Sequence, residues 1–147
     1  MGREMILRHA IDKQRRLVLT VAEGRVMFDD VRGHQDRLLA DSEFDASFDQ
    51  LIDATNVTKI DISAGEVRTL AHRHVFSLKS RRALVATKPD VFGVGRMMEI
   101  YQEDAGHTEL QVVYSMEEAL KWLGREEEKH QNREAGRTPQ CPKTRSA

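Results

Sequence analysis

A chain of 147 residues with 39% hydrophobic, 32% charged and 5% aromatic residues is the size of one globular domain with a modest core. Its 23 Lys+Arg and 24 Asp+Glu leave a net charge of -1, which excludes a global field that would drive it onto nucleic acid or an acidic membrane. The longest strongly apolar run, Leu17-Val18-Leu19-Thr20-Val21-Ala22, is far short of the roughly 18 residues of a membrane span. Met1-Gly2-Arg3-Glu4-Met5 lacks the apolar run of a signal peptide, and a single cysteine, Cys141, permits neither an internal disulfide nor a cysteine-based zinc site. A cytoplasmic location is expected.

Two runs rich in Leu, Ile and Val, Met5 to Ile11 and Arg16 to Ala22, flank Asp12-Lys13-Gln14-Arg15 and predict an opening β-hairpin. Apolar residues then fall at Phe28, Val31, Leu38 and Leu39, with Gln35 as a polar break, which predicts a helix from Phe28 to Ala40. Phe48 to Asp53 reads as a third, short strand. Ser63 and Glu66 form a capping box ahead of Val67, Leu70 and Ala71, with Ile62 and Val67 placed as a hydrophobic staple, so a second helix starts at Ser63. Ala83 to Ala86 is the next strand. Pro89 opens a helix running to Glu103, and Gly106 caps its end. Leu110 to Tyr114 is the last strand, and Ser115 with Glu118 repeats the capping box before a short helix stopped by Gly124. Residues 1 to 124 therefore form the domain, and the nearly apolar-free stretch from Arg125 to Ala147 is expected to be a disordered tail. Alternating strands and helices of this kind predict an α/β fold with a parallel or mixed sheet and crossover helices.

This order, together with Arg15-Arg16-Leu17-Val18-Leu19-Thr20, Phe48-Asp49-Gln50-Leu51-Ile52-Asp53 and Asp61-Ile62-Ser63-Ala64-Gly65, resembles the STAS superfamily, and most of all the SpoIIAA-like, anti-sigma-factor-antagonist-like proteins of bacteria. The likeness spans residues 5 to 123 and implies a mixed, mostly parallel sheet with helices packed on it. It also implies a non-enzymatic module that binds a protein or a ligand. Antagonists carry Asp-Ser-Ser-Gly at the strand-to-helix junction. Here the position of the phosphoacceptor serine is Ile62, Ser63 stands on the second serine and Ala64 on the glycine.

Asp61, Ile62, Ser63, Ala64 and Gly65 are the candidate partner- or anion-binding loop, although an N-cap alone accounts for Ser63 and Glu66. Charge is segregated along the chain. From Glu23 to Glu66 there are eleven acids and four bases, and from Val67 to Met98 seven bases and one acid. Arg73, Lys79, Arg81 and Arg82 are accordingly the candidate basic contact surface, with Phe76 and Leu78 as its apolar part, suited to an acidic protein partner or a homodimer. Solvated faces that neutralise each other in the fold are the plainer explanation. Aromatics are not interleaved with the bases, so no nucleic-acid binding is expected.

No catalytic residue, metal or cofactor is expected. His72 and His74 are two apart, with His34 or Asp61 as remote further ligands, and Cys141 has no base fixed beside it. Gly93-Val94-Gly95 lies within a helix, where close packing on the sheet explains glycine better than a nucleotide does. The expected function is thus a regulatory or scaffolding module acting through protein binding. The alternative is a small-ligand or lipid carrier of related architecture, with Met97 and Met98 lending an adaptable pocket, although so few aromatics leave little room for a large cavity.

Overall fold

The computed structural model describes residues 6–107 and 109–125. The strands are β1 (Leu7–Asp12), β2 (Leu17–Met27), β3 (Asp49–Asp61), β4 (Arg82–Val85) and β5 (Leu110–Val113), and the helices are α1 (Phe28–Ala40), α2 (Ala64–Ala71), α3 (Pro89–Asp104) and α4 (Met116–Trp122). They form one mixed sheet in the order β1-β2-β3-β4-β5, with β1 antiparallel to β2 and every other pair parallel. The α/β architecture and the opening hairpin are as expected.

Both long strands outrun their expected ends. Residues 23–27 of β2 and 54–61 of β3 continue to pair as a two-stranded ribbon beyond the reach of β4, which meets β3 only from Gln50 to Asp53. Register shifts interrupt the ribbon on either side of Gly24, whose φ of +74° is the left-handed conformation that glycine adopts without a steric penalty. Polar residues such as Thr55, Asn56 and Lys59 look like loop in the sequence, yet Ala54 and Val57 beside them are buried.

Ser63 caps α2 as expected. Its hydroxyl accepts from the Glu66 amide at 3.1 Å, and the Glu66 carboxylate accepts from the Ser63 amide at 2.9 Å. At α4 only half of the expected box forms. Ser115 Oγ accepts from the Glu118 amide, but the Glu118 carboxylate reaches one residue further back, to the Tyr114 amide at 2.9 Å. In α1, Leu39 is exposed and His34 takes the inward place beside Leu38, correcting the expected apolar face.

Each parallel connection crosses over the same face of the sheet, so α1, α2 and α3 share it. Val18, Leu38, Phe48, Val75 and Phe76 pack there, as do Ala22, Val26, Ala54, Val57 and Val91. The opposite face carries α4 over Leu17, Leu51, Ala83, Val85 and Val113. Gly95 lets α3 approach the sheet. A Cβ there would lie 2.8 Å from Leu84 Cδ2 and 2.9 Å from Val112 Cγ2, whereas one at Gly93 would meet nothing within 4 Å. Arg125, placed in the tail by its sequence, donates to the Arg15 carbonyl at 2.8 Å and pairs with Asp49 at 3.3 Å. Residues 126–147 of the expected tail, with Cys141, lie outside the described residues.

Candidate functional site

Between the sheet and α1–α3 lies a cavity of about 150 Å³. Its wall is mainly apolar, with Val26, Val67, Leu70, Leu84, Val91 and Met98 among the lining residues. Ile52 and Leu84 are only partly buried although they belong to the central strands, because their side chains face this space.

The seven buried polar residues of the described chain are Thr20, His34, Gln50, Ser80, Arg82, Gln102 and His107, and all but Ser80 line the cavity. Backbone register explains much of this clustering. Gln50, the second residue of β3, stands next to Arg82 of β4, which in turn pairs with Leu110 of β5, so Gln50 and Arg82 project from the same side of adjacent strands. Gln50 Nε2 donates to Thr20 Oγ1 at 3.0 Å. Arg82 Nη2 donates to Gln102 Oε1 on α3. The guanidinium also stands 5.2 Å from the centre of the Phe76 ring, a cation–π contact.

Arg82 is 8% exposed, and its Nε has no hydrogen-bond partner among the described residues. Burial lowers its pKa to about 10, which still leaves it a cation at neutral pH. His107 follows. Its Nε2 lies 3.2 Å from His74 Nδ1, the two rings stack, and its backbone amide donates to the Gln102 carbonyl at 2.8 Å. Burial first, then the charges of Arg82 and His74, hold the His107 pKa below the ordinary imidazole value.

His34 enters the cavity from α1. It is 3% exposed, its Nε2 lacks a hydrogen-bond partner among the described residues, and the edge of its ring meets His9 at 5.3 Å between centroids. Burial, reinforced by the charges of His9 and Arg37, pushes its pKa down to about 4, so it is neutral at physiological pH. His9 itself is tied to Asp41 at 2.9 Å.

The residues singled out from the sequence are not brought together. At the junction after β3, Asp61 pairs with Arg25 at 2.6 Å, which holds its carboxyl below the usual carboxylate range. Ile62 packs on the core, Ser63 is committed to its cap, and Ala64 and Gly65 are exposed in the first turn of α2. Of the expected basic surface, Lys79 and Arg81 are exposed, with Arg81 against the Trp122 ring and Glu109. Arg73 instead turns onto α1, bonding Asp36 at 2.6 Å, Gln35 at 3.0 Å and the Arg32 carbonyl. Arg82 is corrected outright, because strand alternation sends it inward, away from Arg81. Phe76, expected at the surface, is buried beside it, while Leu78 is 57% exposed. His72 bonds the Arg68 carbonyl, and among the described residues no three His, Cys, Asp or Glu side chains could hold a metal. Sequence reasoning missed the cavity's polar row, whose only signal is Thr20, Gln50 and Arg82 standing at inward strand positions.

No family model matches the chain, and no curated protein matches it. No described helix is long and apolar enough to cross a membrane. Among solved structures, the chain is similar to an uncharacterised protein of the DUF3478 family from Shewanella loihica, described as having a SpoIIAA-like fold. The two are 16% identical and superpose with a TM-score of 0.55, over 84% of this chain and 98% of the other. With its antiparallel β1, four parallel strands and three crossover helices on one face, the chain has a SpoIIAA-like fold.

Proposed function

We propose that this domain is a non-enzymatic binding module that takes a small, mainly apolar ligand into the cavity between the sheet and α1–α3. The observation that carries the reading is the concentration of six buried polar residues on the wall of one apolar cavity. A cavity of comparable volume lined by apolar side chains holds a benzene-sized molecule. An apolar wall with a few convergent polar groups is the usual composition of a ligand site.

Retention of a small molecule by the purified chain in native mass spectrometry tests this, alongside a filled cavity. Ile52→Phe adds volume where the wall is incompletely packed. It is expected to raise the melting midpoint and abolish retention. A wild-type chain that retains nothing, and whose midpoint ignores every small apolar compound offered, would overturn the reading.

A protein-contact role is the second reading, favoured by the exposure of Leu78 beside Lys79 and Arg81. It makes the cavity a sensor whose occupancy is read out at the surface. Lys79→Glu with Arg81→Glu tests it by sedimentation. Self-association weakened by both the reversal and added salt would support it, and association indifferent to both would remove it.

A further inference from the structure

A guanidinium removed from water is costly unless an opposite charge or a full set of hydrogen bonds compensates it. No carboxylate among the described residues pairs with Arg82, since every ion pair between them involves other bases. What surrounds it is neutral or basic: the Gln102 carbonyl, the Phe76 ring, Gln50 on the next strand, and the His107 and His74 pair. Its hydrogen bonding is incomplete as well. Nη2 is used by Gln102, while Nε is buried with no partner among the described residues. The buried side chain also lines the cavity.

Resting on the ligand-binding reading above, we propose that the cavity's ligand is a small amphiphilic monocarboxylate, its apolar body against Val26, Val67, Leu84 and Met98 and its carboxylate on the Arg82 guanidinium. One negative charge neutralises Arg82, the one uncompensated cation of the wall among the described residues. The planar fork of a guanidinium matches the two oxygens of a carboxylate, which suits it to this contact better than a point charge. Gln102 and Phe76 fix the plane of the fork before the ligand arrives, so little ordering is needed on binding.

Calorimetric titration of the full chain with hexanoate and benzoate, against hexanol and benzyl alcohol at matched ionic strength, tests the proposal. Each acid is expected to bind roughly tenfold tighter than the alcohol with the same body, the size of one charge-assisted contact. Arg82→Met keeps the unbranched stem and removes the charge. It should lose the preference for acids over alcohols. Acids and alcohols binding equally well to wild type would overturn the carboxylate while leaving the cavity reading standing. Binding of neither would overturn both. If Arg82→Met does not fold, the acid-to-alcohol ratio of the wild type decides on its own.

Discussion

Arg73 Nη2 lies 2.6 Å from Asp36 Oδ1, joining the basic stretch that follows α2 to the acidic helix α1. The same guanidinium reaches Gln35 Oε1 and the Arg32 carbonyl, so it fastens the loop after α2 to α1 by three acceptors. Arg25 with Asp61 and Arg125 with Asp49 likewise consume charges of the acidic segment inside the fold. Of the seven bases between Val67 and Met98, however, Arg73 alone forms an ion pair with a carboxylate of the acidic segment among the described residues. Arg73→Ala should cost about 1 kcal/mol, because it removes a part-buried hydrogen bond to the Gln35 side chain besides breaking a partly exposed ion pair. Chemical denaturation against Arg96→Ala, whose exposed side chain pairs only with Glu99 one turn away, checks it.

Two glycines of α3 should respond oppositely to alanine. At Gly93 a Cβ meets nothing within 4 Å, and Gly93→Ala should stabilise by roughly 0.5–1 kcal/mol through helix propensity. At Gly95 a Cβ would overlap Leu84 and the stiff β-branched Val112, and Gly95→Ala should destabilise by about 1–3 kcal/mol. Melting midpoints that move in the same direction for both would contradict the close approach of α3 to the sheet.

The second helix offers a separate test. Ser63→Ala should cost about 1 kcal/mol and Ser63→Asp almost nothing, because aspartate accepts from the same amide. Equal, near-zero shifts for both would remove the cap.

Local signals were legible in the sequence, and long-range ones were not. The cap at Ser63, the proline start of α3 and the extent of α1 follow from side chains acting on their own turn of backbone. The ends of β2 and β3 do not, because the ribbon beyond Ala22 and Asp53 exists only through mutual pairing of strands far apart in sequence. The cavity was hidden for a similar reason. Gln50 and Arg82 become neighbours only through the β3/β4 register, and Arg82 looks like a surface base beside Arg81 until strand alternation separates the two.

That alternation yields a contrast between adjacent residues. Arg81→Glu leaves an exposed side chain in water beside Trp122 and should cost no more than about 1 kcal/mol. Arg82→Glu places a carboxylate among Phe76, Gln102 and the cavity wall without a cation beside it, and should abolish cooperative folding or cost upwards of about 3 kcal/mol. Far- and near-ultraviolet circular dichroism of the two variants separates these outcomes. Equal tolerance would mean that Arg82 reaches solvent.

The buried histidine on α1 should make stability depend on pH. His34 has its pKa pushed down to about 4 in the fold, against about 6.5 in an unfolded chain. Between those values the unfolded state binds a proton that the folded state refuses, so stability is fully present above about pH 6.5 and declines as the pH falls toward 4. The slope approaches about 1.4 kcal/mol per pH unit in the middle of that window, and His107, displaced in the same direction, adds to it. Carboxylates such as Asp36 and Asp61 act lower. Their folded pKa values lie below the ordinary aspartate value, so their contribution is present above about pH 4 and is lost only beneath it. His34→Gln keeps a polar side chain at the cavity wall and cannot take up the proton. Denaturation midpoints of this variant should therefore fall less steeply than wild type between pH 6.5 and 4, with the two curves parallel below that range. Identical slopes across the window would place His34 in contact with solvent and remove it from the wall of the cavity.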